Sequence, residues 1–546
     1  GNTLSEELSN LNIKDKDDNP LSGREVTYIW VADGEQLKGI QNYANENKDS
    51  NILSYNFALK NDINATDVSD YQAIGSGDRA FTGKFDGRGN RIIGLNVDNT
   101  NNHTATDNVG VFGVNEGTIK NLKVYSSTFK GYDNVGAIAG TNNGTIDNVT
   151  TLGNTVEALG SKYSNDKLDT SKVGAAGGVV GTNNGTVDNA TSRDSVIAGK
   201  DANSGGALTT AGGIAGINTG LVSNSQSHSA VIASGSKDNT YSLGGIVGVN
   251  TASDKGLDNV NAYGVTGSSI LVDNTGGIAG LNSGTLNDAY NESIVKGSSN
   301  VGGIAGTNSG KISLIVNGAS VTAKGDYTGG LVGSTTGKIS NGRNNGVITG
   351  VNYVGGLVGS NGSGVQLTNL TNDSSANIIG EQYVGGIAGI NSGTIKSDED
   401  NDNLINRGSI TGNKYVGGIA GENNGTITNV NNDIVLNATG SNAQYFGGVT
   451  GINKGTITNA TNSGNINASG ATYVGGITGQ NNGTLSGAGN KGEVTGKDYV
   501  GGVAGLNTKD IIGKDNNNII NIIGIKNEGT VIAEAGGAGG IFGKNE

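Results

Sequence analysis

One short motif recurs along most of this chain, at intervals of 26 to 41 residues. It consists of an aliphatic residue between glycines, then Asn, then Gly-Thr-Ile; the copy at 415–427 reads Tyr-Val-Gly-Gly-Ile-Ala-Gly-Glu-Asn-Asn-Gly-Thr-Ile. Fifteen copies align on their last glycine, at positions 113, 140, 181, 216, 248, 280, 306, 333, 359, 389, 421, 451, 479, 505 and 543. A fixed period of this length is typical of one supersecondary unit stacked many times. The repeat therefore predicts a solenoid rather than several globular domains.

Two positional rules describe the motif. The residue two before the closing glycine is always aliphatic, and in all copies but the first a Gly lies four before it. Positions two apart share a face of a strand, so we expect an inward face that alternates Gly, aliphatic and Gly. Two residues after the closing glycine stands Asn, with Thr335 as the exception. In stacked coils these Asn amides are expected to form a structural ladder. Its predicted members are Asn115, Asn142, Asn183, Asn218, Asn250, Asn282, Asn308, Asn361, Asn391, Asn423, Asn453, Asn481 and Asn507, with Asn545 in the last copy.

The repeat predicts three short strands and three corners in each coil of a parallel β-solenoid. About fifteen coils stacked at ~4.8 Å, with some N-terminal coils, predict a rod of very roughly 80 Å. The general preference for right-handed crossovers favours a right-handed solenoid. A row of antiparallel hairpins is the alternative, because Asn-Gly between apolar runs is also a hairpin signal. Hairpins give no reason for the same Asn to recur, so the solenoid is favoured.

Seven consecutive copies carry Tyr six residues before the closing glycine. Strand alternation places these tyrosines on the inward face, where we expect a structural packing ladder along one edge of the core. An exposed aromatic stripe that binds sugar rings is the functional alternative. The seven residues are Tyr327, Tyr353, Tyr383, Tyr415, Tyr445, Tyr473 and Tyr499.

The chain divides by pattern into three regions. Residues 1–23 are polar and are expected to form a linker or a frayed terminus. Residues 24–107 predict irregular coils and an N-terminal cap, with a strand near Trp30 and a short helix over about 35–46 that begins at the N-cap Asp33. Residues 108–546 form the repeat region, which ends in mid-motif and is expected to continue in a longer parent chain.

The sequence resembles a known family at this repeat. Gly-Leu-Val-Gly at 330–333 and 356–359, with Gly-Ile-Ala-Gly variants, is similar to the GLUG repeat of bacterial surface proteins. Phe81-Thr-Gly-Lys-Phe-Asp-Gly resembles the segment that introduces such repeats. Such repeats occur in filamentous-haemagglutinin-type adhesins exported by two-partner secretion and in cell-surface IgA-cleaving metallopeptidases, so the resemblance implies a protein of one of these two kinds. It therefore implies an extracellular location and, for the adhesins, an outer-membrane secretion partner.

The composition argues against several kinds of functional site and partner. The chain has no Cys and a net charge of −13, which argues against thiolate metal sites and nucleic-acid partners. No apolar run approaches the roughly 18 residues of a membrane span. His103 and His228 are the only histidines, and neither lies in a His-Glu-x-x-His pattern. The acidic runs at 15–19 and 398–402 are interpreted as solvated loops. We therefore expect no catalytic residue, cofactor or metal site.

These patterns favour a non-enzymatic function. The predicted function is a rigid, rod-like shaft of a secreted bacterial adhesin, which presents or mediates attachment to a surface receptor such as a glycan on host or bacterial cells. Three alternatives stay open at this point: a self-assembling extracellular filament subunit that binds copies of itself, a non-catalytic accessory region of an IgA-protease-like peptidase, and a glycan-active β-helix enzyme with paired acids.

Overall fold

The computed structural model describes residues 28–49, 51–76, 79–100, 108–160, 162–164, 167–169, 173–200, 208–234, 240–397, 404–438, 440, 442–508 and 524–546. The predicted linker at 1–23 lies outside these residues. The chain divides into two compact units: unit 1 comprises residues 1–272 and 278–288, and unit 2 comprises residues 273–277 and 289–546. Each unit is a stack of coils joined by parallel strand pairing, which confirms the predicted all-β parallel solenoid.

A coil contains four recurring strands, which we name by their place in the repeat. The entry strand precedes the corner at the paired glycines, and the Asn strand follows it and ends at the ladder Asn. The Thr strand begins with the Gly-Thr-Ile sequence, and the return strand leads back to the next entry strand. In some coils a short fifth strand separates the Thr and return strands. The prediction of three strands per coil is therefore wrong.

The bounds of the strands follow this scheme. Entry strands are Asn108–Val109, Asn134–Gly136, Val173–Gly177, Leu208–Gly212, Thr240–Gly244, Thr275–Gly276, Val301–Gly302, Asp326–Gly329, Asn352–Gly355, Gln382–Gly385, Lys414–Gly417, Gln444–Gly447 and Ala538–Gly539. Asn strands are Phe112–Asn115, Ala139–Asn142, Val180–Asn183, Ala215–Asn218, Val247–Asn250, Ala279–Asn282, Ala305–Asn308, Val332–Thr335, Val358–Asn361, Ala388–Asn391, Ala420–Asn423, Thr450–Asn453, Thr478–Asn481, Ala504–Asn507 and Phe542–Asn545. Thr strands are Thr118–Lys120, Thr145–Ala158, Thr186–Ala198, Leu221–Ser227, Gly256–Ala262, Thr285–Asn291, Lys311–Asn317, Lys338–Asn344, Gln366–Asn372, Thr394–Lys396, Thr426–Thr428, Thr456–Thr458 and Thr484–Ser486.

The remaining strands complete the coils. Return strands are Thr128–Gly131, Ala230–Ala233, Val265–Thr266, Ile294–Gly297, Val321–Ala323, Ile348–Thr349, Asn377–Ile379, Ser409–Gly412, Leu436–Ala438, Ile466–Gly475, Val494–Gly501 and Val531–Ala533; Ile466–Gly475 and Val494–Gly501 also include the entry strand. The short fifth strands are Lys123–Tyr125, Leu404–Asn406, Asn431–Asn432, Thr461–Asn462, Gly489–Asn490 and Lys526–Asn527. One antiparallel hairpin, Lys162–Ser164 with Lys167–Asp169, lies in the long insertion after the second copy.

The paired glycines form a corner. The sequence predicted one strand through Gly-Gly-Ile-Ala-Gly, but the strand Gln382–Gly385 ends there and Ala388–Asn391 begins in a new direction. A Cβ added at Gly385 would overlap the carbonyl oxygen of Ala388, and one at Gly386 would overlap the carbonyl oxygen of Gly418 in the next coil. Only glycine fits at this bend, so the predicted alternation of Gly and aliphatic side chains along one inward face is wrong.

Unit 1 begins with the predicted helix. The strand Ile29–Val31 leads into the helix Gly34–Glu46, and the side chain of Asp33 caps the helix by accepting a bond from the Gln36 amide at 2.8 Å. A 3₁₀ turn, Ile52–Ser54, follows. The first coils use the strands Asn56–Leu59, Ile63–Asn64, Lys84–Asp86, Arg91–Ile93 and Asn96–Asp98. Buried phenylalanines fill their interior, with the Phe81 and Phe112 ring centroids 5.2 Å apart.

Unit 2 has a regular core. In most coils one apolar residue of the return strand and one of the entry strand point inward and pack together, among them Val295, Ile348, Ile378, Val354 and Val384. The return strands pair in register from Val295 with Val321 to Val494 with Val531. This regular stacking fixes the side-chain columns on the outside of the unit.

Candidate functional site

Seven stacked tyrosines form the most regular surface feature of unit 2. The rings of Tyr327, Tyr353, Tyr383, Tyr415, Tyr445, Tyr473 and Tyr499 lie face to face, with successive centroids 4.6–5.1 Å apart and interplanar angles of 9–21°. All seven side chains are partly exposed. We call this feature the Tyr stack. It lies at the surface of the unit and not in its interior.

Backbone geometry explains why the inward prediction for these tyrosines is wrong. Each Tyr has a left-handed backbone, with φ between 50° and 64°. A bulky residue adopts this conformation rarely, and it interrupts the two-residue alternation of a strand. The following residue, such as Val354 or Val384, therefore points into the core, while the Tyr ring turns outward. The parity argument assumed an extended backbone through the Tyr.

The closing glycine of the next coil makes room for this turn. A Cβ added at Gly389 would overlap the backbone of Tyr353, and one at Gly421 would overlap the backbone of Tyr383. The same relation joins Gly543 to Tyr499. In these coils the closing glycine is required because a Tyr backbone of the preceding coil lies directly against it, and in coils without the Tyr another backbone takes that place, as Asn108 does at Gly140.

The stack leaves little aromatic face for a ligand. Each interior ring covers the faces of its two neighbours, so only ring edges and hydroxyl groups face the solvent. At the Tyr499 end of the Tyr stack, the Lys544 ammonium lies 5.5 Å from the ring centroid of Tyr499. Within the stack, the Lys414 ammonium lies 4.9 Å from the ring centroid of Tyr415. A sugar ring stacks on a free aromatic face. The geometry therefore favours packing over sugar binding.

Partial burial perturbs the phenols of the stack. Burial, with smaller contributions from the neighbouring phenols and the Glu422 carboxylate, raises the pKa of Tyr383 to about 12. Burial likewise raises the pKa of Tyr353 and of Tyr445. These three tyrosines therefore remain protonated and uncharged over the physiological pH range.

The predicted Asn side chains stack in both units. In unit 1, each Asn donates from Nδ2 to Oδ1 of the next at 2.7–2.9 Å, from Asn115 to Asn282. In unit 2 the same bonds join Asn361 to Asn545 at 2.7–2.9 Å. Most of these amides also donate to the carbonyl oxygen of the glycine two residues on, as Asn391 does to Gly393. Buried amides thus satisfy each other between coils and also hold the corner.

Thr335 interrupts this ladder in unit 2. Its Oγ1 accepts a bond from Asn308 Nδ2 at 3.1 Å and donates its single hydrogen to the Gly337 carbonyl oxygen at 3.0 Å. No hydrogen is left for the next rung, so the buried Oδ1 of Asn361 has no donor. Thr335 is therefore a local defect in an otherwise continuous column.

A second Asn ladder, which the sequence analysis missed, lies at another corner of unit 2. Its Nδ2-to-Oδ1 bonds of 2.7–2.8 Å join Asn291, Asn317, Asn344, Asn372 and Asn406, and then Asn432, Asn462, Asn490 and Asn527. A signal exists in the sequence. In several coils an Asn lies nine residues after the first ladder Asn and is followed within two residues by Gly, as in 308 and 317 or 453 and 462.

Unit 1 contains a buried carboxylate, that of Asp194 in the strand Thr186–Ala198. Asp194 Oδ1 accepts bonds from the backbone N and Nδ2 of Asn154, both at 2.9 Å, and Oδ2 accepts from Ser192 Oγ at 3.0 Å. Ser229 Oγ, 2.8 Å from Ser192 Oγ, binds the Asp194 amide. Burial raises the pKa of Asp194 to about 6, and the surrounding hydrogen bonds only partly oppose this effect. The residue is 5% exposed, so a substrate has no direct access to it.

Of the other sequence candidates, the structure describes His228. His228 stacks on Tyr263 with centroids 4.8 Å apart, and burial lowers its pKa. His103 and the acidic runs at 15–19 and 398–402 lie outside the described residues. Within the part of the chain that the structure describes, no group of three or more His, Cys, Asp or Glu residues is placed to hold a metal ion. Among those residues, no helix combines the length and apolar character of a membrane-spanning segment.

Comparisons with known proteins give two likenesses. No protein-family model matches the chain. Halomucin from Haloquadratum walsbyi is 34% identical over 117 residues, which is 20% of this chain and only 1% of that protein. A solved structure, described as that of a candidate immunoglobulin A1 protease from Bacteroides ovatus, aligns over 75% of this chain and 77% of its own, with 17% identity and a TM-score of 0.28. Neither likeness assigns the chain to a family.

Proposed function

We propose that this chain is a non-catalytic structural segment of an extracellular surface protein, acting as the shaft of an adhesin and carrying a receptor-binding region away from the cell. The observation that carries the proposal is the set of side-chain ladders that repeat from coil to coil within each unit. Two Asn columns and the Tyr stack form the same contacts at successive coils of unit 2. The adhesin assignment also draws on the GLUG-like sequence of the repeat.

The physical basis is the additive character of a stacked fold. Each coil contacts its neighbours through parallel strands and buried amide bonds, so each added coil supplies its own stabilising interface. Such a molecule gains length without a larger central core. A spacer needs this property, whereas an enzyme needs one site of defined geometry.

Glycan cleavage, the enzymatic alternative, has no comparable support. A glycosidase needs two carboxyl groups on either side of a substrate bond, one of them with a raised pKa. Asp194 has a raised pKa, but Asn154 and Ser192 enclose its carboxylate inside the coil. Its environment matches a polar packing cluster.

The proposal is tested by small-angle X-ray scattering on the full chain and on a variant that lacks residues 390–451. The deleted segment comprises two whole repeats, from the residue after the closing glycine at 389 to the closing glycine at 451. We expect both to be elongated, and the maximum dimension to fall by about 10 Å in the variant, or ~4.8 Å per coil. Compact particles of equal size would contradict the shaft. Release of reducing sugar from a polysaccharide panel, abolished in Asp194→Asn, would contradict the non-catalytic assignment.

A further inference from the structure

The amino-acid composition leaves tyrosine as the main oxidisable side chain of this protein. The sequence contains no Cys and no Met, whose sulfur atoms are the usual targets of peroxides. It contains one Trp and 17 tyrosines, and seven of these tyrosines belong to the Tyr stack. An oxidant that reaches this chain therefore meets phenol rings and no sulfur.

The Tyr stack presents its phenols to the solvent. All seven side chains are partly exposed, with ring edges and hydroxyl groups outward. Burial raises the pKa of Tyr353 and Tyr383, so both phenols carry their protons at neutral pH. Loss of one electron from such a phenol releases the hydroxyl proton, and the adjacent solvent accepts it. The chemistry of a phenoxyl radical is thus open to this site.

Neighbouring rings of the stack are placed to react with each other. Successive centroids lie 4.6–5.1 Å apart, and the planes differ by 9–21°. In a parallel stack each ring atom lies over the same atom of the next ring, at about the ~4.8 Å spacing of the coils. The Cε carbons, which flank the hydroxyl and carry much of the unpaired electron of a phenoxyl radical, therefore face their counterparts. Holding two reactants in this way turns their encounter into an intramolecular step.

The length of the stack favours the meeting of two radicals. A ring that has lost an electron can regain one from a ring about 5 Å away, so the electron vacancy moves along the row. Radicals formed at two different members of the Tyr stack can then reach adjacent rings. An isolated tyrosine has no such route to a partner.

We propose that the Tyr stack is a site of oxidative cross-linking, where a haem peroxidase with hydrogen peroxide couples tyrosines of successive coils into dityrosine. Each of two phenols loses one electron and its hydroxyl proton. The two phenoxyl radicals tilt together and form one Cε–Cε bond. The hydrogen of each joined carbon then leaves as a proton, and each phenoxyl oxygen takes up a proton. In total, two tyrosines lose two hydrogen atoms, and one hydrogen peroxide is reduced to two waters.

Each cross-link fastens one coil to the next. Successive members of the Tyr stack are 26 to 32 residues apart in the sequence, so one bond closes a loop of that length. Closing such a loop restricts the unfolded chain and stabilises the folded one. The inference adds a covalent modification to the proposed shaft and does not depend on the adhesin assignment.

Two triple variants with the same number of phenols test the role of adjacency. Phe keeps the aromatic ring but has no hydroxyl from which a phenoxyl radical can form. The alternating variant combines Tyr353→Phe, Tyr415→Phe and Tyr473→Phe, and none of its four remaining stack phenols has a phenol neighbour. The block variant combines Tyr327→Phe, Tyr353→Phe and Tyr383→Phe, and its four remaining stack phenols are consecutive.

The full chain and both variants are treated with hydrogen peroxide and a haem peroxidase at low protein concentration. Dityrosine is then measured by fluorescence of the monomer fraction and located by peptide mass spectrometry. We expect the wild type and the block variant to give linked peptide pairs from successive coils, lighter by two hydrogen atoms than their sum. The alternating variant is expected to give at least fivefold less dityrosine within the stack.

Three outcomes would overturn the proposal: no dityrosine in the oxidised wild type, equal yields within the stack in the two variants, or wild-type cross-links confined to tyrosines outside the stack. Small-angle scattering on the same samples separates this result from the proposed function. An elongated chain that forms no cross-link would leave the shaft proposal intact.

Discussion

The gap at Thr335 allows a direct test of what an Asn ladder contributes. Replacing Thr335 by Asn supplies an Oδ1 that accepts from Asn308 and an Nδ2 that donates to the unpaired Oδ1 of Asn361. An unsatisfied buried acceptor costs about 1–3 kcal/mol, and burying one methyl group less costs about 0.8 kcal/mol. We expect Thr335→Asn to stabilise the surrounding coils by about 0.2–2 kcal/mol, with a central value of about 1 kcal/mol.

Hydrogen exchange measured by mass spectrometry gives the local result. A gain of about 1 kcal/mol corresponds to roughly fivefold slower exchange of amides in the strands Val332–Thr335 and Val358–Asn361. The reverse change, Asn391→Thr, creates the same defect in an intact part of the ladder, because Asn391 Nδ2 donates to Asn423 Oδ1 at 2.8 Å. It is expected to accelerate exchange by a similar factor. Unchanged exchange in both variants would show that the ladder bonds contribute no net stability.

Three further predictions concern the Tyr stack, its glycine contact and the buried acid. Tyr415→Ala removes two ring contacts and is expected to lower the free energy of unfolding by about 1–3 kcal/mol, measured by urea titration. An unchanged free energy of unfolding would show that the stacked rings contribute no stability. Gly421→Ala forces a Cβ onto the Tyr383 backbone and is expected to destabilise the coil strongly, whereas Gly540→Ala, with open space around it, should be nearly neutral; circular dichroism melts compare the two. Because the pKa of Asp194 is raised from 3.8 to about 6, the folded state binds its proton more tightly, and stability falls as pH rises from about 4 to 6, by on the order of 3 kcal/mol. Asp194→Asn should remove this pH dependence of the free energy of unfolding, measured in urea titrations. A variant with the same pH profile as the wild type would contradict the assignment of the effect to Asp194.

The sequence predicted those features that depend on identical neighbours. The ladder Asn recurs at one distance from the closing glycine, and a residue that bonds to its own copy must keep that distance. The solenoid, the helix that begins after Asp33 and the Asn columns were predictable for this reason. Strand parity, in contrast, requires an extended backbone, and the left-handed φ of Tyr383 violates that condition without a sequence signal.

Other features depend on contacts between coils that spacing alone does not reveal. The second ladder was missed because its distance from the first changes, from nine residues at Asn317 to twenty at Asn527. Burial of Asp194 results from side chains of neighbouring coils, including Asn154 and Ser229. Most acidic residues that the structure describes are exposed or partly exposed, and nothing in the local sequence distinguishes this one.

The Asn columns also have a consequence for how such a chain changes over generations. Each intact rung offers an amide oxygen on one side and an amide nitrogen on the other, as Asn391 does between Asn361 and Asn423. Removal of one whole repeat therefore joins two surfaces that already match, and duplication inserts a coil that fits both neighbours. Unequal recombination between repeats in the gene produces such changes in a single event. Length can then vary among descendants by whole coils, while each intermediate still folds.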